Sequence, residues 1–535
     1  LRNIHVSEKG GRMVAIMGAS GCGKSTLFNV LNGNERPDKG KVLINGVDVH
    51  KEPDKLEGVI GYIPQDDLLN ERLTVFQNMY FAARFSFGNW CEKDIVEISE
   101  KTLHSLGLSE TRDKEVGSPS KKTISGGQRK RLNIGLELIR QPSVLFVDEP
   151  TSGLSSSDSL RTMELLKNLA LNGKLVFVII HQPSPEIFKM FDRLLVMDNG
   201  GYTIYYGNPM EAVPYFRREA NLPPVQDPAE VANSAEIFDI VETKLVSEMG
   251  TLVEERKYSP ADWAARYQQH FPANPVERVK EEVPHHINTP GFFQQIRLYF
   301  RRDVLAKIRD HQYMFINLLE APVLALLLAI VVRYAPTEDF IDKPYHFSSN
   351  ENIPAYFFMA VIVALFMGLS VSAEEIIRDR LLLKREKFLH LNRDSYLIAK
   401  ILLLFCLSAI HTLAFVVISD FVLAVDDIGP EFWMVLFSTS CCANMLGLAL
   451  SDTFKNAVVV YILIPLLLIP QLVLGGVVIQ YDRVNPLFGN PGKVPLIGEM
   501  MVSRWAYEAL MVAQFKNNSY QKVTFESEAR KEEYH

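Results

Sequence analysis

The 535-residue sequence is poor in cysteine, carries no net positive charge and opens without an initiator methionine or a leader. Its five cysteines, Cys22, Cys91, Cys406, Cys441 and Cys442, have neither zinc-site spacing nor the pattern of a disulfide framework. They are read as small apolar packing residues. A formal charge of −7 with no basic run offers no surface for a phosphate backbone, so no nucleic acid is expected as a partner. The start at Leu1, almost on a strand, is read as that of a fragment whose true N-terminus lies upstream. Long apolar runs are missing from roughly the first three hundred positions and crowd the chain after about position 314. The average composition, 47% hydrophobic and 22% charged, hides this split. A chain this long exceeds one core, and a water-soluble half followed by a membrane half accounts for the asymmetry.

The first half holds one stretch of obvious chemistry. The apolar run Met13 to Met17 leads into Gly18-Ala19-Ser20-Gly21-Cys22-Gly23-Lys24-Ser25-Thr26, and Leu27 to Leu31 follow. This predicts a strand, a tight glycine loop and a helix start, the Walker A phosphate loop. Glycines let successive backbone N–H groups and the helix N-terminus converge on one anion. Lys24 is placed to reach the β- and γ-phosphates of ATP, and the Ser25 hydroxyl to ligate Mg²⁺.

Four further stretches fit that chemistry. Gln65 ends the short strand Gly61-Tyr62-Ile63-Pro64 and is placed to touch Mg²⁺ or an attacking water. Ser125-Gly126-Gly127-Gln128 precedes a helical pattern, with Ser125 as N-cap and the glycine amides open to a second phosphate site. Val144-Leu145-Phe146-Val147 reads as a buried strand ending in Asp148 and Glu149, the Walker B arrangement. Asp148 would hold Mg²⁺ through its water shell, and Glu149 would act as general base on the γ-phosphate. His181, after the strand Leu175 to Ile180, can hydrogen-bond that phosphate.

In this order the five stretches resemble an ATP-binding cassette (ABC) ATPase. More narrowly, Asp148-Glu149-Pro150-Thr151-Ser152-Gly153-Leu154, His181-Gln182-Pro183-Ser184 and Ile204-Tyr205-Tyr206-Gly207 resemble the White or ABCG subfamily. In that family the ATPase precedes the membrane domain. The resemblance implies two cassettes head to tail, with ATP between the phosphate loop of one and Ser125 to Gly127 of the other. The partner would be a second copy or a related half-transporter, the homodimer being simpler. Ser155 stands where the family has an aspartate that helps join the two sites, which puts their communication in doubt. The aromatic that stacks on adenine is expected upstream of Leu1.

The resulting expectation is an α/β P-loop NTPase (ABC ATPase) domain over 1–212, followed by an all-α polytopic transmembrane domain over 313–535. Between them, 213–291 reads as a polar, proline-rich linker and 292–312 as an amphipathic connecting helix on the membrane surface, with Arg297, Arg301, Arg302, Lys307 and Arg309 facing lipid phosphates. Five spans are expected near 314–332, 355–373, 396–425, 432–450 and 457–479. An external segment follows over 481–520, and a sixth span is expected beyond His535. Basic residues between spans two and three, against Glu338, Asp339, Asp342, Asp426, Asp427 and Glu431 in other loops, put the ATPase in the cytoplasm. Residues 381–391 would act either as a lever to the cassette or as plain surface charge. His411, Asn444 and Gln471 are candidates for a transport path, although helix-to-helix hydrogen bonds explain them equally. From the resemblance, Phe357, Phe358, Met359, Leu472 and Leu474 would lie near the cavity. The expected activity is export of a hydrophobic or amphipathic substrate, in contact with membrane lipid. The alternatives are a lipid-linked glycan exporter of the ABC-2 type and a regulatory membrane ATPase without cargo.

Overall fold

The computed structural model describes residues 1–118, 121, 123–225, 230–246, 252–271, 288–333, 352–387, 389, 391–423, 428–483, 485 and 494–517. They divide into two units, Leu1–Gly291 with Lys387–Leu391, and Phe292–Glu386 with Asn392–His535.

The first unit opens with β1 (Met13–Gly18), buried at every residue as a strand covered on both faces must be. The phosphate loop leads to α1 (Lys24–Leu31), the short hairpin β2 (Leu43–Ile44) and β3 (Val47–Asp48), and β4 (Ile60–Ile63). Helices α2 (Val75–Ser86), α3 (Glu92–Ser105) and α4 (Gly126–Leu138) form a helical insertion. Then follow β5 (Val144–Asp148), α5 (Ser156–Leu171), β6 (Leu175–Ile179), the single turn α6 (Pro185–Phe188), β7 (Arg193–Asp198) and β8 (Tyr202–Gly207). The six-stranded sheet has the order β4-β5-β6-β1-β7-β8, and β8 alone runs antiparallel to its neighbour. The carboxyl ends of β1, β4, β5 and β6 therefore share one edge, the usual place for a ligand in such a sheet.

The expected linker over 213–291 needs correction. α7 (Pro209–Glu219), α8 (Ser234–Val241), the strands β9 (Lys244–Val246) and β10 (Leu252–Arg256), and α9 (Pro260–His270) belong to the first unit. Phe216, Ile237 and Trp263 share one apolar core with Val178 and Val196. Within this stretch Pro260 opens a helix behind the cap Ser259 instead of breaking one.

The second unit is helical: α10 (Phe292–Arg309), α11 (His311–Val332), α12 (Ile353–Ser372), α13 (Glu375–Lys387), α14 (Arg393–Leu423), α15 (Gly429–Thr453), α16 (Ala457–Val473), α17 (Leu496–Glu499) and α18 (Val502–Asn517). Among the described residues four helical segments are long and apolar enough to cross a membrane, at His311–Val332, Ile353–Glu386, Arg393–Leu423 and Gly429–Thr453. The fifth expected span is shorter than its apolar run, because α16 stops at Val473. Pro465 and Pro470 lie within it, and Gly476 turns the chain with φ +84°. A Cβ there would meet the Tyr481 ring at 2.8 Å. Within the expected external segment, α18 packs Ala506 and Leu510 into the same core as Phe358 and Leu436. The acidic residues Glu338, Asp339, Asp342, Asp426 and Asp427 lie outside the described residues.

The connecting helix α10 exists, with Arg297 and Arg301 exposed as expected, but two of the cations expected on its outer face turn inward. Arg302, Asp303 and Lys307 are buried, whereas Phe293 and Ile308 are 82% and 56% exposed. Arg302 pairs with Glu386 of α13, and Lys307 with Glu375. Lys400 of α14 lies 2.8 Å from Asp303, 2.8 Å from Asp379 and 3.1 Å from Glu375. Tyr396 donates to Asp379 at 3.0 Å. Four buried acids thus meet three buried bases and the equally buried Arg385, so charge inside the cluster balances.

Two candidates for a transport path are bonded between elements. Asn444 donates to Ser408 Oγ at 2.7 Å, and Gln471 accepts from the Ser503 amide at 3.0 Å. His411 is buried in α14. Phe357 and Phe358 pack against Phe432 and Tyr507, while Met359 is exposed.

Candidate functional site

The phosphate loop leaves β1 at Gly18, where a Cβ would stand 2.4 Å from the Met197 carbonyl. Gly21 and Gly23 take φ of +79° and +103°, which side chains disfavour. Gly23 is also the N-cap of α1 and brings no side chain to its free amides, which stay available to an anion. Lys24 is buried, and its Nζ donates to the carbonyls of Gly18 and Ala19 at 2.9 Å each. Ser20, Ser25 and Thr26 are exposed. Cys22 turns inward, and burial pushes its thiol up.

At the end of β5, burial and then the Glu149 charge push the Asp148 carboxyl up to about 6, while Lys130 and Lys24 pull it back. Glu149 adopts φ +45°, uncommon for a residue with a Cβ. Gln65 Nε2 donates to its Oε2 at 2.9 Å, and His181 Nε2 lies 3.0 Å from its Oε1. The ends of β4, β5 and β6 thus bring together the three residues that the sequence singled out separately. Glu149 and His181 also border a cavity of about 350 Å³ with Ser152, Leu154 and Ser184.

Ser125 caps α4 in a reciprocal box: its hydroxyl accepts from the Gln128 amide at 3.1 Å, and Gln128 Oε1 accepts from the Ser125 amide at 2.8 Å. Gly127 is obligatory by space, since a Cβ would fall 2.2 Å from Asp158 Oδ1. Ser155 caps α5 by accepting from the Asp158 amide at 3.2 Å. Among the described residues no hydrogen bond or ion pair joins Ser125 to Gln128 with the phosphate loop of the same subunit.

Sequence reasoning missed two residues here. Lys130 is buried, donates to the Gln65 and Pro64 carbonyls at 2.8 and 3.2 Å, and is held below the usual lysine range by burial. It ties α4 to the glutamine loop, but Arg129-Lys130-Arg131 looks like solvated charge. Asp158 fills the space left by Gly127, a fit invisible without coordinates.

Magnesium and a nucleoside triphosphate suit this donor set. No cluster of three acids, histidines or cysteines occurs among the described residues. Mg²⁺ normally takes one or two protein ligands and completes its shell with water and phosphate. The exposed Ser25 hydroxyl and the half-buried Asp148 carboxyl supply that number.

Comparison with known proteins gives concordant matches. A family model described as ABC transporter matches residues 1–152, and two described as ABC-2 type transporter match 181–286 and 294–515. "ABC transporter G family member 25" of Oryza sativa is 43% identical over 210 residues, 38% of this chain and 21% of that protein. "ABC transporter G family member 13" of Arabidopsis thaliana is 36% identical over 51% of this chain and 39% of its own. "ABC transporter ATP-binding/permease protein Rv1747" of Mycobacterium tuberculosis is 28% identical over 95% of this chain and 55% of its own. The chain therefore spans from about a fifth to about half the length of these curated relatives.

Proposed function

The chain belongs to the ABC transporters, in the white-brown or G-like arrangement with an ABC-2 membrane domain after the cassette, and from that premise we propose that it is one half of an ATP-driven exporter. Its cargo is a hydrophobic or amphipathic molecule, and its working form is a dimer with the ATPase on the cytoplasmic side. The observation that carries the reading is the position of Glu149, held between Gln65 and His181 beside the half-buried Asp148.

Bound MgATP supplies the phosphoanhydride whose hydrolysis drives the cycle. For that nucleotide, Lys24 exchanges the Gly18 and Ala19 carbonyls for phosphate oxygens, and the free amides of α1 receive the same charge. Ser25 and Asp148 would hold the magnesium ion that accompanies the triphosphate, Asp148 through water. Glu149 orients and deprotonates the attacking water, with Gln65 and His181 fixing its carboxylate. Ser125 to Gln128 present an amide-rich helix start to the nucleotide of a partner copy, because in their own subunit they have no link to the phosphate loop.

Glu149→Gln keeps the shape and the Gln65 contact but removes the base. Purified in lipid discs, this variant is expected to bind ATP as the parent does and to lose at least about 99% of turnover. Hydrolysis at the parental rate would remove the assignment.

A further inference from the structure

One ionisable side chain within the apolar helices escaped the sequence analysis. Glu320 is the tenth residue of α11 and half-buried, and Ser370 of α12 is near its carboxylate. Among the described residues no lysine, arginine or histidine forms an ion pair with it. A carboxylate inside a span is costly unless something answers its charge.

One turn away on the same face is Asn317, which spends its amide N–H₂ on the Tyr313 carbonyl at 2.9 Å. Its Oδ1 is buried and has no partner among the described residues. Ser370 adds no free donor, because its single hydroxyl hydrogen goes to the Met367 carbonyl at 3.1 Å. The site is therefore rich in acceptors and short of donors. Next to it, Ile316, Leu319 and Val323 are exposed on an apolar helix surface.

We propose that Glu320 and Asn317 form a binding site for the ammonium group of a primary-amine amphiphile, whose chain lies along the exposed apolar side of α11. A –NH₃⁺ group has three donors and a positive charge, so one ligand can serve both the carboxylate and Asn317 Oδ1, about 5–6 Å apart at their Cβ atoms. A proton alone would answer Glu320 and leave Asn317 unserved. A hard metal ion would find too few oxygens. The inference deepens the exporter reading by assigning a cargo class to the membrane half.

The test uses the full chain in discs of neutral lipid, with tetradecylamine, tetradecanol and tetradecyltrimethylammonium as probes. Specific binding, corrected for empty discs, and stimulation of ATPase are both read. Tetradecylamine should act at the lowest concentration, the quaternary cation less well for want of N–H donors, and the alcohol least. Glu320→Gln should weaken tetradecylamine by about tenfold or more, with basal ATPase and thermal midpoint unchanged. Asn317→Leu should weaken the amine and spare the quaternary cation. Equal action of alcohol and amine, or full amine binding by Glu320→Gln, would overturn the proposal. So would a Glu320→Gln effect confined to the pH profile of basal ATPase, the mark of a proton site. Loss of basal ATPase in the parent protein would instead count against the exporter reading, which separates the two failures.

Discussion

At the scale of the residue, Asp148 has the most direct experimental consequence. Its carboxyl is pushed up to about 6 by burial and by Glu149, so below that pH it is neutral in the folded, nucleotide-free protein. Magnesium needs the ionised form. MgATP affinity should hold above pH 7 and fall as the pH drops through about 6, by up to tenfold per unit. Calorimetry in buffers of different ionisation heat should detect proton release on binding near pH 6, and Asp148→Asn should abolish both effects. At this scale the residues that meet at the strand ends, Gln65, Glu149 and His181, could be singled out in the sequence. Gly21 and Gly23 serve backbone conformations, and Asp148 and Glu149 end a strand; both leave marks in residue order. Lys130 and Asp158 were not legible, because what matters about them is the neighbour across space. An acid in an apolar run was detectable in principle, and Glu320 was overlooked.

At the scale of the element, α10 was found by its helical spacing, yet Arg302 and Lys307, expected on the outer face with Arg297 and Arg301, are buried. Periodicity locates the polar stripe of a helix but does not say whether water or buried opposite charge meets it. Here Glu386 and Glu375 on α13 meet Arg302 and Lys307, and Lys400 on α14 joins Glu375 and Asp379. Lys400→Met would leave Asp303, Asp379 and Glu375 without their common cation, at a cost of about 3–5 kcal/mol. A clear drop in the thermal midpoint in lipid discs is expected. The exposed pair Arg393–Asp452 should behave differently, with Arg393→Ala costing about 0–1 kcal/mol. Helix α9 was missed for the converse reason: its N-terminal Pro260 reads as a breaker when the Ser259 cap ahead of it is overlooked.

At the scale of the whole molecule, the two-part organisation was legible because apolar runs of about 20 residues concentrate in one half. Assembly is a matter for experiment, and complementation reads it directly. If each nucleotide lies between the phosphate loop of one copy and Ser125 of the other, Lys24→Ala and Ser125→Arg are each inactive alone. A mixed dimer of the two places both lesions in one site and leaves the other site whole. Co-expressed chains purified through two different tags should regain a measurable fraction of parental ATPase, and complete silence would argue against the head-to-tail pairing.

The brevity of α16 bears on the lipid around the protein. Its 17 residues rise about 25 Å, some 5 Å less than a typical hydrocarbon layer of about 30 Å. Acyl chains alongside it must shorten or splay to meet its ends, as they do around any inclusion thinner than its host. A bilayer of shorter acyl chains is therefore expected to match this helix better than one of longer chains.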